Sequence, residues 1–142
     1  MEKLFISSDH AAFNEKQELI TYLSEKFEMV DLGPDNTDSV NYPDYGQKLA
    51  KEVLAAGEGA RGIALCGSGI GISIAVNRFK GIRGALCRDE DDAKMCKLHN
   101  NANVLCLGGR RNPIEELKQM VDMWIITEFE GGRHQTRIDM LD

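Results

Sequence analysis

Cys66 stands where an apolar run gives way to a glycine-rich one, in Ala64-Leu65-Cys66-Gly67-Ser68-Gly69-Ile70-Gly71-Ile72-Ser73. The stretch before it reads as a strand, and the stretch after Gly69 reads as a helix through Ala75, Val76 and Asn77. That order predicts a thiol at the carboxyl end of a strand and at the mouth of a helix N-terminus. Gly67, Gly69 and Gly71 let the backbone approach a ligand closely, and the free N–H groups there attract negative charge. The same electropositive setting favours thiolate over thiol. The reading is a reactive thiol beside an anion-attracting loop, the place where chemistry would sit.

Other reactive side chains fall at equivalent places. A regular alternation predicts strands over Lys3–Ser8, Glu28–Leu32, Arg61–Cys66, Ile82–Cys87 and Val104–Leu107. Helices are predicted over Ala11–Lys26, Tyr45–Ala56, Ile70–Arg78, Asp89–Lys97 and Pro113–Phe129. In the first helix Phe13, Leu19, Ile20 and Leu23 are expected to face the core. Five strands separated by helices imply parallel pairing with right-handed crossovers, a three-layer α/β/α sandwich in one domain spanning 1–142. Ligands of such sheets bind beyond the carboxyl ends of the strands, at a topological switch point. Just past those ends lie Ser8-Asp9-His10, Cys66 to Gly71, Arg88-Asp89 and Gly108-Gly109-Arg110. In the tail, Arg133 and Arg137 are four apart, so a helical tail points them the same way. Such a pair is either a solvated surface feature or a phosphate clamp.

Composition narrows the classes. A formal net charge of −6 argues against a nucleic-acid or anionic-membrane surface. No stretch approaches the roughly 20 apolar residues of a membrane span. Met1 to Ile6 has none of the layout of a secretion signal. The four cysteines form no CxxC pair and the three histidines are scattered, so paired metal-ligand spacing is lacking. The expectation is a reduced, cytoplasmic protein in which Cys87, Cys96 and Cys106 pack and Cys66 reacts.

Six segments in order carry a resemblance: Ser8-Asp9-His10-Ala11-Ala12-Phe13, Tyr42-Pro43-Asp44-Tyr45, Cys66 to Asn77, Gly81-Ile82-Arg83, His99-Asn100-Asn101-Ala102-Asn103 and Gly131-Gly132-Arg133-His134-Gln135. Together they closely resemble the type B sugar-phosphate isomerases, which include ribose-5-phosphate isomerases and galactose-6-phosphate isomerase subunits. The resemblance spans nearly the whole chain. It implies a Rossmann-like five-stranded parallel sheet and a cofactor-free, metal-free aldose–ketose isomerisation through an enediolate. Cys66 would be the base between the first two sugar carbons. A sister group carries a glutamate just after the glycine run, where this chain has Ile72, so the thiol branch fits. The amides of Gly67 to Gly71 would face the developing oxyanion. Ser68, where relatives often have threonine, would donate a hydrogen bond.

The same resemblance implies that His99, helped by Asp9, opens the furanose ring. His10, Arg133 and Arg137 would hold the phosphate with Arg110, Asn100 would bind hydroxyls or the enediolate, and Tyr42 would line the pocket. It places the pocket between two subunits of a homodimer or homotetramer, with His99, Asn100 and Arg110 from the partner chain. His134 is expected at the surface, outside the site.

Three other readings remain. A dinucleotide-binding module is suggested by the glycines, but their spacing is GxGxG after the third predicted strand, not GxGxxG after the first. No Gly-Lys-Ser/Thr occurs, which excludes a P-loop. A ligand-sensing domain on the same architecture is a second reading. A hexose 6-phosphate substrate, allose or galactose, is a third.

Overall fold

The computed structural model describes residues 1–142. Five parallel strands, β1 (Lys3–Ser8), β2 (Glu28–Asp31), β3 (Gly62–Cys66), β4 (Gly84–Leu86) and β5 (Val104–Gly108), form one sheet in the order β2-β1-β3-β5-β4. Six helices surround it: α1 (Phe13–Leu23), α2 (Tyr42–Ala56), α3 (Ile70–Val76), α4 (Glu90–Asn100), α5 (Ile114–Ile126) and α6 (Arg133–Asp139). A single 3-10 turn, His10–Ala12, precedes α1.

The two-residue period of a strand divides the core. Leu4 and Ile6, Ile63 and Leu65, and Leu105 and Leu107 point to the face covered by α1, α4 and α5, with Trp124, Leu117 and Met120 packed on them. Phe5, Ala64, Cys66, Val104 and Cys106 point to the other face, against Leu49, Val53, Ile72 and Val76 of α2 and α3. β3 and β5 are buried along their whole length, as central parallel strands covered on both faces should be. The chain runs from β1 outward to β2 and then back to β3 on the other side. The β1–β3 boundary is therefore a switch point, and β1 and β3 end side by side, Ser8 opposite Leu65.

Helix boundaries shift for local reasons. α2 begins at Tyr42, three residues before the expected start, because Pro43 fits a first turn whose N–H groups lack acceptors anyway. The expected first helix splits into the 3-10 turn, capped by Asp9 through the Ala12 N–H at 3.2 Å, and then α1. Leu19 and Leu23 are buried as expected, whereas Phe13 and Ile20 are half-buried.

Lys16, which sequence reading passed over, is fully buried. Its ammonium donates to both carboxylate oxygens of Asp31, at 2.8 and 2.9 Å, and to Gln17 at 3.0 Å. Asp31 in turn accepts from the Gly33 N–H at 2.9 Å, so the pair ties α1 to the loop leaving β2. Removing one partner of a buried pair strands the other charge. Asp31→Ala should therefore lower stability by about 3 kcal/mol in urea unfolding, the low end for such losses because the carboxylate is partly exposed. Lys16→Met in the same chain should recover most of that loss. An Asp31→Ala protein as stable as the parent would refute the bond's role.

Candidate active site

Two groups of reactive side chains emerge, at opposite ends of the sheet. The first surrounds the carboxyl ends of β1, β3 and β5. Cys66 closes β3 at 5% exposure, and its Sγ accepts a hydrogen bond from the Gly69 N–H at 3.1 Å. Gly69 has φ +80°, and a Cβ there would stand 2.9 Å from the Leu107 carbonyl carbon and 3.0 Å from the Gly108 nitrogen. Only glycine lets this loop fold back far enough to aim an amide at the sulfur. Ser68 Oγ accepts from the Ile70 N–H at 3.1 Å, which leaves its own proton to donate outward.

These bonds correct one expectation. The amides of Gly69 and Ile70 are committed to the sulfur and to Ser68, so the N–H groups of the loop that remain for a ligand are those of Gly67, Ser68 and Gly71. Tyr42, on the first turn of α2, lies over Gly71, its ring 2.8 Å from where a Cβ would be. A side chain at position 71 would push Tyr42 off the loop.

Asp9 and His10 leave β1 beside this thiol, the Asp9 N–H donating to the Leu65 carbonyl at 3.0 Å. His10 Nδ1 accepts from the Val40 N–H at 3.1 Å, which assigns the proton of the neutral ring to Nε2. Arg110 follows β5. Its Cδ and one terminal nitrogen lie 3.4 and 3.6 Å from the position of a Gly67 Cβ. Arg110, which follows the carboxyl end of β5, thus stands beside Gly67 of its own chain, whereas the resemblance gives it to the partner's side of the pocket.

The second group sits at the amino ends of the strands. α4 leaves the carboxyl end of β4 and runs back, so His99 and Asn100 arrive near Arg83, just before β4. The Arg83 guanidinium donates to the Asn100 and Asn101 carbonyls at 3.0 and 3.1 Å. Asn101 ends the helix at φ +45°, a conformation asparagine tolerates. Asn103 accepts from the Arg83 N–H at 2.8 Å and donates to the Gly81 carbonyl at 2.8 Å. In the His-Asn-Asn-Ala-Asn run, then, Asn101 and Asn103 are scaffold and Ala102 is core, leaving the side chains of His99 and Asn100 for chemistry.

α6 packs against this end, with Asp142 beyond it accepting from the Gly81 N–H at 3.0 Å. Its Arg133 and Arg137 are exposed and in no ion pair. His134, expected at the surface, is 5% exposed and stacks on His99 with ring centroids 4.2 Å apart and planes 18° from parallel. One ligand atom each of His99, Glu130 and His134 falls within 4.8 Å of the others. Nearly parallel rings aim their lone pairs side by side, so this grouping fits stacking better than chelation. A cavity of about 580 Å³ nearby is lined by Arg61, Arg83 and Lys97 and lies away from Cys66.

β3 alone separates the two groups by about 13 Å, at 3.3 Å per residue. The remaining thiols are packing groups. Cys106 is fully buried and burial pushes its thiol up. Cys87 is pushed up by its hydrogen bond to Cys96, whose sulfur is 3.8 Å away, and by burial.

The whole chain matches known proteins. The profile of the Ribose/Galactose Isomerase family covers residues 4–141. The chain belongs to this family. It is 39% identical to ribose-5-phosphate isomerase B of Escherichia coli over 99% of its own length and 95% of that protein's. Its fold superposes on ribose 5-phosphate isomerase B of Thermotoga maritima with a TM-score of 0.95 at 45% identity, covering 99% and 97% of the two chains. The Mycoplasma genitalium ribose-5-phosphate isomerase B, solved with ribulose-5-phosphate bound, gives a TM-score of 0.95 at 39% identity, covering 98% and 93%. No helix of this isomerase is long and apolar enough to cross a membrane.

Proposed function

We propose that this isomerase interconverts D-ribose 5-phosphate and D-ribulose 5-phosphate through an enediolate, with Cys66 as the base. The observation that carries the reading is the buried Cys66 sulfur, held by the Gly69 amide among Asp9, His10 and Arg110, in a chain so similar to ribose-5-phosphate isomerases. Cys66, as thiolate, takes the proton from C2 of the open-chain aldose. The freed C–H pair becomes the C1–C2 double bond and the carbonyl pair settles on O1, facing the amides of Gly67, Ser68 and Gly71. Returning the proton to C1 while the O2 hydroxyl gives its own to O1 leaves the carbonyl at C2.

Ring opening precedes this step. His99, with Asp9, moves the proton from the anomeric hydroxyl to the ring oxygen as the bond from C1 to that oxygen breaks. Asp9 and His99 of one chain stand at opposite ends of the sheet, so in this reading each active site joins the carboxyl-end group of one chain to His99, Asn100, Arg133 and Arg137 of another. A homodimer is the smallest such unit, and a homotetramer is compatible. Four unpaired thiols suit a reducing cytoplasm. Turnover of ribose 5-phosphate, allose 6-phosphate and galactose 6-phosphate, measured side by side, tests the substrate. A clear preference for either hexose phosphate would replace this reading with the hexose one.

The phosphate is held by His10, Arg110, Arg133 and Arg137. Such a contact lies far from the reacting carbons and acts on ground and transition states alike. Arg137→Ala should raise KM about 10-fold and leave kcat within about threefold. A loss confined to kcat would contradict the assignment.

A further inference from the structure

We propose that His134 is a positioning residue: an uncharged aromatic plate that fixes the plane of the His99 ring for opening the sugar. The inference rests on the ring-opening role of His99 proposed above. His99, next to last in α4, is half-buried, and an imidazole there is free to turn unless something covers its face. His134 covers it, at 4.2 Å between centroids and 18° between planes. Its Nε2 is buried without a hydrogen-bond partner, and the Glu130 carboxylate stands off at 3.6 Å.

The surroundings keep the plate neutral. Burial, then His99, Arg133 and Arg137, hold the His134 imidazole below its ordinary range, with only Glu130 pulling the other way. A charged ring would oppose the proton that His99 must take. A neutral π face instead attracts the imidazolium that forms. The adjacent Arg133 and Arg137 tie the same short helix to phosphate binding, so one docked element would align both the ring-opening group and the anion clamp.

Two variants and two reactions separate this from a scaffold role. Isomerisation of ribose 5-phosphate needs ring opening. Exchange of a C1 proton of ribulose 5-phosphate with D2O needs only the enediolate, because that ketose is open-chain. His134→Ala should lower kcat for ribose 5-phosphate about 10-fold, while exchange and inhibition by inorganic phosphate stay within about twofold. His134→Phe keeps a flat face and should retain kcat within about threefold, and it carries the test if the alanine variant does not fold. Equal losses of isomerisation, exchange and phosphate inhibition in His134→Ala would make it a mere scaffold and overturn the proposal. A phenylalanine variant as slow as the alanine one would overturn it too. His99→Asn, run beside them, tests the underlying reading: if it loses exchange as fully as isomerisation, that reading fails, whereas a selective His99→Asn with an unselective His134→Ala condemns the positioning role alone.

Discussion

Cys66→Ala should abolish isomerisation, with kcat down roughly 10³-fold or more, the scale of a lost general base. In the proposed mechanism the substitution removes the base for the carbon-bound proton and leaves the proposed phosphate ligands untouched. Inhibition by inorganic phosphate should therefore change less than about twofold. The variant should also lose exchange of the ribulose 5-phosphate C1 proton with D2O, since no enediolate forms without the base. Structural damage is limited. The side chain is small, and the loop loses one hydrogen bond, that from the Gly69 N–H. Ordinary turnover in Cys66→Ala would remove the thiol from the mechanism. Loss of phosphate inhibition with loss of turnover would show a collapsed loop instead.

His99→Asn should divide the two reactions. Isomerisation of ribose 5-phosphate should fall about 10²-fold, the scale of acid–base help at the ring oxygen, while exchange into ribulose 5-phosphate stays within about threefold. The reason is again positional. In the proposed cleft His99 presents an imidazole on one wall and Cys66 a thiol on the other, so the proposed mechanism gives ring opening and enediolate formation to separate groups. Equal loss on both reactions would assign His99 to the enediolate step.

Much of this architecture was legible in the residues. Apolar runs punctuated by glycine and asparagine located all five strands, and the rule that ligands gather beyond carboxyl ends brought Asp9, His10, Cys66 and Arg110 to one place. The same rule puts Arg110 beside Gly67 of its own chain, where the resemblance sends it to a partner chain. What escaped was long-range. Lys16 carries no sequence mark of burial, because its partner Asp31 is on another element. His134 looked like a polar tail residue, since only the packing of α6 on α4 brings it to His99. The hydrogen bonds of the glycine loop were also hidden: the glycine pattern showed where amides would cluster, not that Gly69 spends its own on the sulfur. Most consequential, the carboxyl-end rule left His99 and Arg137 unplaced, and only the return path of α4 sets them at the far end of the sheet from Cys66.

The proposed active site is shared between chains, and subunit mixing tests it most directly. Cys66→Ala and His99→Asn chains, each strongly impaired on ribose 5-phosphate alone, would be co-expressed with different tags and the mixed dimer purified. One of its two sites would hold both substitutions and the other neither, so the mixed dimer should show about half the activity of the unsubstituted dimer. A mixed dimer as inactive as its parents would mean that Cys66 and His99 must come from the same chain, and the shared site would be wrong.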